Sequence, residues 1–259
     1  MPHLSGHSAS SPAVHGTHRE HFSKRIALVL VATEMGGGLP EASHGNPERD
    51  SDHSRREPPM SQPIDFYFDF SSPYGYLASE KIDGLAARFG RKVRWRPILL
   101  GVVFRQTGGA PLTSIPLKGQ YSLHDFARSA RFLDIPYAHP ENFPLSTQHA
   151  ARAYYWLHDQ DCAAARMFAH AVFRSLYTAG RDVSDMAVVL DIAAGQQVDR
   201  AALAAALAGE VLKDRLKAEC EAAIARGVFG SPYIVVDGEP FFGADRLPQI
   251  ERWLASGGF

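Results

Sequence analysis

The chain has 259 residues, of which 45% are hydrophobic and 21% are charged, an ordinary composition for a globular protein. This length accommodates one large domain or two small ones with a sizeable core. The formal net charge of −1 provides no general attraction to nucleic acid or to an anionic membrane. Composition therefore argues against both of these partner classes.

Residues 1–60 differ in composition from the rest of the chain, because they are rich in His, Ser, Gly and Pro. Such a segment buries too little apolar surface to offset the entropy lost on ordering. Its apolar run at 26–32 is too short to span a bilayer and has no clear signal-peptide cleavage site. We therefore expect a disordered N-terminal extension, with the functional domain starting at Met60.

The stretch from Ile64 to Glu80 predicts a strand that turns directly into a helix. Apolar and aromatic residues alternate with polar ones as far as Phe70, which is typical of a strand with one buried face. Pro73 fits the first position of a helix, and apolar residues follow it at helical spacing. Ser72 should therefore lie beside unpaired backbone N–H groups, where it either helps to bind an anion or only caps the helix.

The middle of the chain predicts a second strand, a loop and a block of helices. Residues 92–98 alternate again, so the first helix should be the crossover of a parallel βαβ unit. Residues 99–117 contain several glycines and prolines and predict a long loop. From Tyr121 to about Gly227, apolar residues recur at helical spacing almost throughout.

The end of the chain returns to strand-forming sequence. Residues 232–236 predict a strand, Asp237-Gly238 a hairpin turn, and residues 240–242 the start of the partner strand. Asp245 should then cap a final amphipathic helix. The predicted order is strand, helix, strand, helical block, strand, strand, helix.

The cysteines and histidines show no metal-binding pattern. Cys162 and Cys220 form neither a CxxC nor a zinc-ligand spacing, and the twelve histidines include no HExxH. We therefore expect no metal site, and two buried, reduced thiols in a cytoplasmic protein.

The element order is that of a thioredoxin-like α/β fold with a large all-helical insertion. Residues 61–120 and 228–259 would form the thioredoxin-like domain, and residues 121–227 the helical insertion. Thioredoxin-like proteins carry their redox CxxC at the first strand-to-helix turn, where this chain has the segment Ser72 to Gly75. Since both thiols are replaced, disulfide oxidation is excluded. The same fold places a cis-proline just before its third strand, where this chain has Ser231-Pro232.

Three segments carry a closer resemblance. They are DFYFDFSSPYGYLA at 65–78, VFGSPYIVVDGEPFFGADRL at 228–247, and a K-x-x-Y-x-x-x-D-x-x-R pattern from Lys118 to Arg128. Together they resemble the 2-hydroxychromene-2-carboxylate isomerase family, which is related to kappa-class glutathione transferases and, more distantly, to the disulfide oxidase DsbA. The resemblance covers about residues 62–255.

This resemblance implies a glutathione-dependent isomerase of aromatic-compound catabolism. In such enzymes the serine before the first proline, here Ser72, binds and activates the glutathione sulfur. Its hydroxyl and the positive end of the helix favour thiolate over thiol, and the thiolate adds reversibly to a conjugated carbon of the substrate. Asp245 would either receive the γ-glutamyl ammonium or only cap the last helix. The implied glutathione contacts are Ser72, Ser231, Pro232, Phe242, Gly243, Ala244 and Asp245.

The substrate side matches the family less closely. Characterised members carry a lysine and a polar pair for the aromatic carboxylate, where this chain has Phe104, Leu112 and Thr113. An apolar Phe104 cannot pair with a carboxylate. The substrate-side residues that the resemblance indicates are Phe104, Lys118, Asn142 and Phe143.

Two other functions fit the same sequence: a kappa-like glutathione transferase, and a non-enzymatic module of thioredoxin type that binds glutathione or a peptide. In each case glutathione is the expected cofactor or ligand. For the enzymes a small-molecule substrate is the expected partner, and a homodimer is a possible assembly.

Overall fold

The computed structural model describes residues 62–259, so the extension predicted over residues 1–60 lies outside them. A four-stranded sheet with the order β2-β1-β3-β4 forms the centre of the fold. Its strands are β1 (Ile64–Phe68), β2 (Val93–Pro97), β3 (Tyr233–Val236) and β4 (Glu239–Phe242).

The strand pairing is that of a thioredoxin-like sheet. β1 runs parallel to β2, with Phe66 opposite Trp95, and antiparallel to β3. The turn between β3 and β4 uses Asp237 and Gly238, with φ of 53° and 92°, which a hairpin of this length requires. The predicted parallel βαβ unit and the predicted hairpin are both confirmed.

The helices are α1 (Pro73–Arg88), α2 (Leu100–Thr107), α3 (Lys118–Phe132), α4 (Gln148–His158), α5 (Cys162–Tyr177), α6 (Met186–Ala194), α7 (Arg200–Ala208), α8 (Val211–Ala225) and α9 (Leu247–Ser256). Helices α2 to α8 all lie between β2 and β3, which confirms the helix-rich insertion into an α/β fold. Within residues 62–259, no helix has the length and apolar character needed to cross a membrane.

Strand β1 is buried on both faces, so the prediction of one buried face is wrong. Asp65 and Tyr67 lie on the face expected to be polar, yet they are only 8% and 3% exposed. The reason is that arginine side chains cover this face: Arg94 and Arg96 on Asp65, and Arg96 and Arg226 on Tyr67. Burial alone would raise the pKa of Asp65, but hydrogen bonds from Arg94 and Arg96 hold that pKa below its ordinary value.

The predicted loop over residues 99–117 contains helix α2 and a short 3-10 turn, Leu112–Ser114. No side chain near the start of α2 caps it; instead the Leu100 N–H donates to Asp69 Oδ2, 2.7 Å away, at the end of β1. The helix ends at Gly108, whose φ of 72° is the left-handed conformation that glycine favours. A cap supplied by a residue 31 positions upstream leaves no local sequence signal.

An aromatic cluster holds the helical insertion against the sheet. Phe68 lies 5.4 Å from Phe173 of α5, 6.3 Å from Tyr154 of α4 and 5.3 Å from Trp95 of β2, measured between ring centroids. Fully burying a side chain of this size contributes about 1.5–3 kcal/mol. The insertion is therefore a fixed wall for any site formed beside the sheet.

The two cysteines differ in environment. Cys220 is buried, as predicted, and its sulfur accepts the Leu99 N–H at 3.3 Å. Cys162 is exposed, contrary to the prediction, because it opens α5 at the surface directly after the capping residue Asp161.

Candidate functional site

The turn from β1 into α1 places Ser72 at the start of the helix. Ser72 Oγ accepts the Gly75 N–H at 3.0 Å, and the Ser72 carbonyl accepts the Tyr76 N–H at 2.9 Å. Pro73 has no N–H, so the Tyr74 N–H is the first-turn amide left without an acceptor among the described residues. Ser72 is therefore a helix cap, beside one N–H that remains free for a ligand.

A second buried serine faces Ser72 across the turn before β3. The Ser231–Pro232 peptide bond is cis. Ser72 Oγ donates to the Ser231 carbonyl at 2.9 Å, and the Asp69 N–H donates to Ser231 Oγ at 2.9 Å. These bonds join the end of β1, the start of α1 and the segment leading into β3. Ser72 and Ser231 are only 5% and 9% exposed.

Gly75 occupies the position of the second cysteine in a CxxC. A Cβ built on Gly75 would lie 2.9 Å from Ser231 Oγ and 3.1 Å from Ser72 Cβ. The glycine is therefore needed for the two serines to approach the same point.

Asp69 is a buried acid that the sequence analysis did not place in the site. Its carboxylate accepts the Ser71 N–H at 2.8 Å, the Leu100 N–H at 2.7 Å and the Thr147 hydroxyl at 2.6 Å. Burial raises the pKa of Asp69, and although these hydrogen bonds lower it, the pKa stays above its ordinary value. The only signal in the sequence is an acidic residue immediately before the turn.

The loop after β4 forms the third side of the site. Gly243 has a φ of 112°, which an L-residue rarely adopts, and its N–H donates to the Pro232 carbonyl at 3.1 Å. Asp245 lies in a 3-10 turn, and α9 starts only at Leu247, so the prediction that Asp245 caps α9 is wrong. The Asp245 side chain is 72% exposed and lies 3.4 Å from Arg246, which leaves its carboxylate accessible to a ligand.

Two exposed aromatic rings lie beside this loop. Phe229 and Phe242 are each 47% exposed, with ring centroids 4.7 Å apart. A Cβ on Gly230 would collide with the Phe242 ring, so the glycine permits this packing.

The serines open into a cleft of about 1640 Å³ between the thioredoxin-like sheet and the helical insertion. The predicted residues that line the cleft are Ser72, Phe104, Phe143, Ser231, Phe242, Gly243, Ala244 and Asp245. Three predicted residues do not line it. Pro232 is buried behind the loop, Lys118 is exposed at the start of α3, and Asn142 is exposed beside Asp182.

Tyr74 connects the cleft to the K-x-x-Y-x-x-x-D-x-x-R pattern of α3. The Tyr74 hydroxyl donates to Asp125, which also accepts from Arg128. Burial and the Asp125 carboxylate raise the pKa of Tyr74 well above its ordinary value. Tyr74 therefore stays protonated at the cleft wall, and Arg128 is engaged in an ion pair.

Four cationic side chains line the cleft: Lys81, Arg88, Arg105 and Arg246. Arg105 follows Phe104 on α2, is exposed, and makes no ion pair with any residue of 62–259. No sequence pattern marks Arg105 as a site residue, because it lies in the predicted loop. Within the same residues, no group of three or more His, Cys, Asp or Glu is arranged to hold a metal ion.

Comparisons with known proteins agree with this architecture. The DSBA-like thioredoxin domain family matches residues 63–255. A 2-hydroxychromene-2-carboxylate isomerase of Sphingobium xenophagum is 31% identical over 197 residues, which are 75% of this chain and 99% of that protein. Glutathione s-transferase kappa 2 of Caenorhabditis elegans is 29% identical, over 76% of this chain and 93% of that protein.

Among solved structures, that of a 2-hydroxychromene-2-carboxylate isomerase matches with a TM-score of 0.69 and 28% identity. The match covers 75% of this chain and 95% of that one. The resemblance drawn from the sequence motifs is therefore confirmed.

Proposed function

This chain belongs to the DSBA-like thioredoxin domain family, and we propose that it is a glutathione-dependent isomerase of an unsaturated aromatic or chromene-type carboxylate. The observation that carries the proposal is a buried, hydrogen-bonded pair of serines: Ser72 at the start of α1, in the position of a redox cysteine of thioredoxin-like oxidases, and Ser231 in the turn before β3. Hydroxyls there retain the means to bind a sulfur but cannot form a disulfide with it. The two curated relatives described above are an isomerase and a glutathione transferase.

The residues around the serines fit a glutathione molecule. The Ser231 N–H has no acceptor among residues 62–259, so it is available to the peptide portion of glutathione. Gly243 has no side chain, so the Asp245 carboxylate can lie close to it, and this exposed carboxylate can receive the γ-glutamyl ammonium. The free Tyr74 N–H and the positive end of α1 favour an anion beside Ser72.

Bound glutathione would supply a sulfur nucleophile that adds reversibly to a conjugated carbon and so permits rotation about a former double bond. Ser72 would donate a hydrogen bond to the sulfur and so favour thiolate over thiol. Its oxygen can keep the Gly75 N–H while its hydrogen turns from the Ser231 carbonyl to the sulfur. Tyr74, held protonated by burial and Asp125, donates its hydroxyl hydrogen to Asp125 and presents an acceptor oxygen at the cleft wall.

The other walls of the cleft suit an aromatic acid. Phe104 and Phe143 provide apolar surface for a ring. Arg105, one residue after Phe104, provides a guanidinium without an ion-pair partner in the described part of the chain. A carboxylate on the substrate can therefore pair with Arg105 where characterised isomerases use a lysine.

The test is an assay of 2-hydroxychromene-2-carboxylate with glutathione far below the substrate concentration. An isomerase converts the substrate to its equilibrium mixture and leaves the glutathione unconsumed. S-methylglutathione, which has no thiol, should not support turnover. If the protein isomerised neither this substrate nor related unsaturated aromatic acids, the proposal would be contradicted.

The kappa-class relative favours a second function, the transfer of glutathione to an electrophile. A transferase consumes one glutathione for each product formed, so the same assay with an electrophilic substrate distinguishes the two. Stoichiometric consumption with no isomerisation would replace the first proposal by the second.

A further inference from the structure

Ser231 carries a hydroxyl hydrogen that no acceptor among residues 62–259 uses. Its oxygen accepts the Asp69 N–H at 2.9 Å, and no bond donated by that oxygen occurs in the same part of the chain. A serine hydroxyl combines one donor hydrogen with two acceptor lone pairs. Because Ser231 is buried and lines the cleft, the groups that can accept its hydrogen are groups bound in the cleft.

Both the hydrogen and the oxygen of the Ser72 hydroxyl already form hydrogen bonds. Its hydrogen is donated to the Ser231 carbonyl and its oxygen accepts the Gly75 N–H. To donate to a sulfur, Ser72 must release a buried carbonyl that then lacks its partner. The hydroxyl of Ser231 can donate without breaking any bond.

The two serines lie at the same end of the cleft. Both line it, and Ser72 Oγ is 2.9 Å from the Ser231 carbonyl. This end of the cleft is at the start of α1, beside the free Tyr74 N–H.

We propose that the Ser231 hydroxyl is a second hydrogen-bond donor to the glutathione sulfur, and the one that is ready without rearrangement. This inference rests on the proposed function, because it concerns the same bound thiol. The thiol gives its proton to solvent, and Ser231 donates a hydrogen bond to the resulting thiolate without transferring its own proton. A hydrogen bond to the charged form lowers the pKa of the thiol.

Two substitutions of the same shape test the role of the hydroxyl. Ser231→Thr keeps a hydroxyl, whereas Ser231→Val replaces it with a methyl group. The pKa of the bound thiol is measured from thiolate absorbance in the ultraviolet as a function of pH. With Val, the thiol pKa should rise by about one to two pH units, as expected for one lost hydrogen bond to a charged group. With Thr, it should stay close to the wild-type value.

S-methylglutathione separates this effect from damage to the site. It has the same peptide contacts but forms no thiolate, so both variants should bind it as tightly as the wild type does. Ser231→Ala is a smaller substitution and serves in place of Val if that variant does not fold. Ser146→Ala, which removes an exposed hydroxyl from another wall of the cleft, should leave the thiol pKa unchanged.

The outcomes separate this inference from the proposed function. An unchanged thiol pKa in Ser231→Val, with a raised one in Ser72→Ala, would show that Ser72 alone donates and would overturn the inference only. An equal rise in the Thr and Val variants would also overturn it, since shape would then be the cause. If wild-type protein neither binds glutathione nor lowers its thiol pKa, the proposed function fails and this inference with it.

Discussion

Ser72 combines two roles that local sequence cannot separate, because one side chain performs both. It caps α1 through the Gly75 N–H, and it lies where a bound sulfur would need a donor. The sequence left open whether Ser72 binds an anion or only caps the helix. The structure confirms the cap, and the anion-binding role stays a prediction.

Ser72→Ala should therefore reduce both stability and activity. Loss of the cap should cost about 1 kcal/mol of unfolding free energy. Loss of one hydrogen-bond donor to the bound anion should lower kcat by roughly a hundredfold to a thousandfold. Glutathione should still bind, because Ser231 and Asp245 contact its peptide portion in the proposed complex, but its thiol pKa should rise. Denaturant unfolding, steady-state kinetics and thiol titration measure these effects.

Ser71→Ala is the neighbouring control, since Ser71 lines the same cleft but its hydroxyl does not cap α1. It should leave stability, kcat and the thiol pKa close to the wild type. Full activity and an unshifted thiol titration in Ser72→Ala would leave Ser72 as a helix cap alone.

The second prediction for a single residue concerns Arg105 and substrate binding. Arg105→Gln removes the cation but keeps polarity and much of the length, so KM for a carboxylate substrate should rise about tenfold or more, as for a lost charged hydrogen bond. Glutathione affinity should be unaffected. Arg131→Gln, on α3 and outside the lining of the cleft, is the control. An unchanged KM would show that Arg105 does not contact the carboxylate.

At the scale of elements, α1 contains two glycines in opposite surroundings. A Cβ on Gly84 would meet no atom within 4 Å, whereas a Cβ on Gly75 would press on Ser231 and Ser72. Gly84→Ala should therefore stabilise the protein by about 0.5–1 kcal/mol, because alanine loses less entropy in a helix.

Gly75→Ala should do the opposite, since the crowding costs about 1–3 kcal/mol and displaces the serines. Its affinity for glutathione should fall, while Gly84→Ala should retain the wild-type affinity. Thermal unfolding and calorimetric titration of the two variants test the pair together. Equal effects of the two substitutions would show that crowding at Gly75 does not shape the site.

The contact between α1 and α5 depends on pH through His170. Its ring nitrogens lie 3.4 Å from Glu80 Oε1 and 3.9 Å from Asp83 Oδ2. Burial would lower the pKa of His170, but the two carboxylates raise it above its ordinary value of 6.5. Burial would raise the pKa of Glu80, but His170 and Arg174 lower it to about 2.

The two groups affect opposite ends of the pH range. Charged His170 contributes to the free energy of unfolding. This contribution is fully present below pH 6.5 and is lost as the pH rises through the higher pKa of His170 in the folded state. The contribution of Glu80 is present above its ordinary pKa of 4.5 and is lost as the pH falls toward about 2. His170→Gln should flatten the decline in stability above neutral pH, measured by denaturant unfolding. His124→Gln, at an exposed position of α3, should keep the wild-type slope; an equal change in both variants would contradict the assignment.

Elements that depend on local pattern were predictable, and those that depend on distant partners were not. The alternation around β1 and β2, the Pro73 start of α1 and the Asp237-Gly238 turn are all visible in short windows of sequence. Helix α2 was missed because its cap comes from Asp69, which is far away in the chain. Asp69 was missed as a site residue for the same reason, since its partners are brought together only by the fold.

For the whole molecule, the element order predicted the fold and three sequence segments indicated the family, but neither showed how the cleft is lined. Residues from the strand ends, α1, α2, the segment before α4 and the loop after β4 all face the same space. Lys118 and Asn142 were assigned to the substrate from the family resemblance, and neither lines the cleft. Arg105 does line it, because α2 forms where a loop was expected.

Because several elements meet at this cleft, a ligand bound there should stabilise the entire fold. A ligand at a hundred times its dissociation constant stabilises the folded state by about 2.7 kcal/mol. For a protein of this size, each kcal/mol raises Tm by about 2–4 °C, so near-saturating glutathione should raise Tm by about 5–10 °C.

Asp245→Asn should reduce this rise in Tm, because the proposed contact with the γ-glutamyl ammonium loses its charge. Cysteinylglycine, which lacks the γ-glutamyl group, should stabilise the wild type less than glutathione does and should not distinguish the wild type from Asp245→Asn. Glu221→Gln removes an exposed charge from α8, outside the lining of the cleft, and should retain the full rise. Differential scanning calorimetry at several ligand concentrations gives the comparison. A Tm that does not respond to glutathione would show that the cleft does not bind it, whereas equal responses of the wild type and Asp245→Asn would remove only the contact assigned to Asp245.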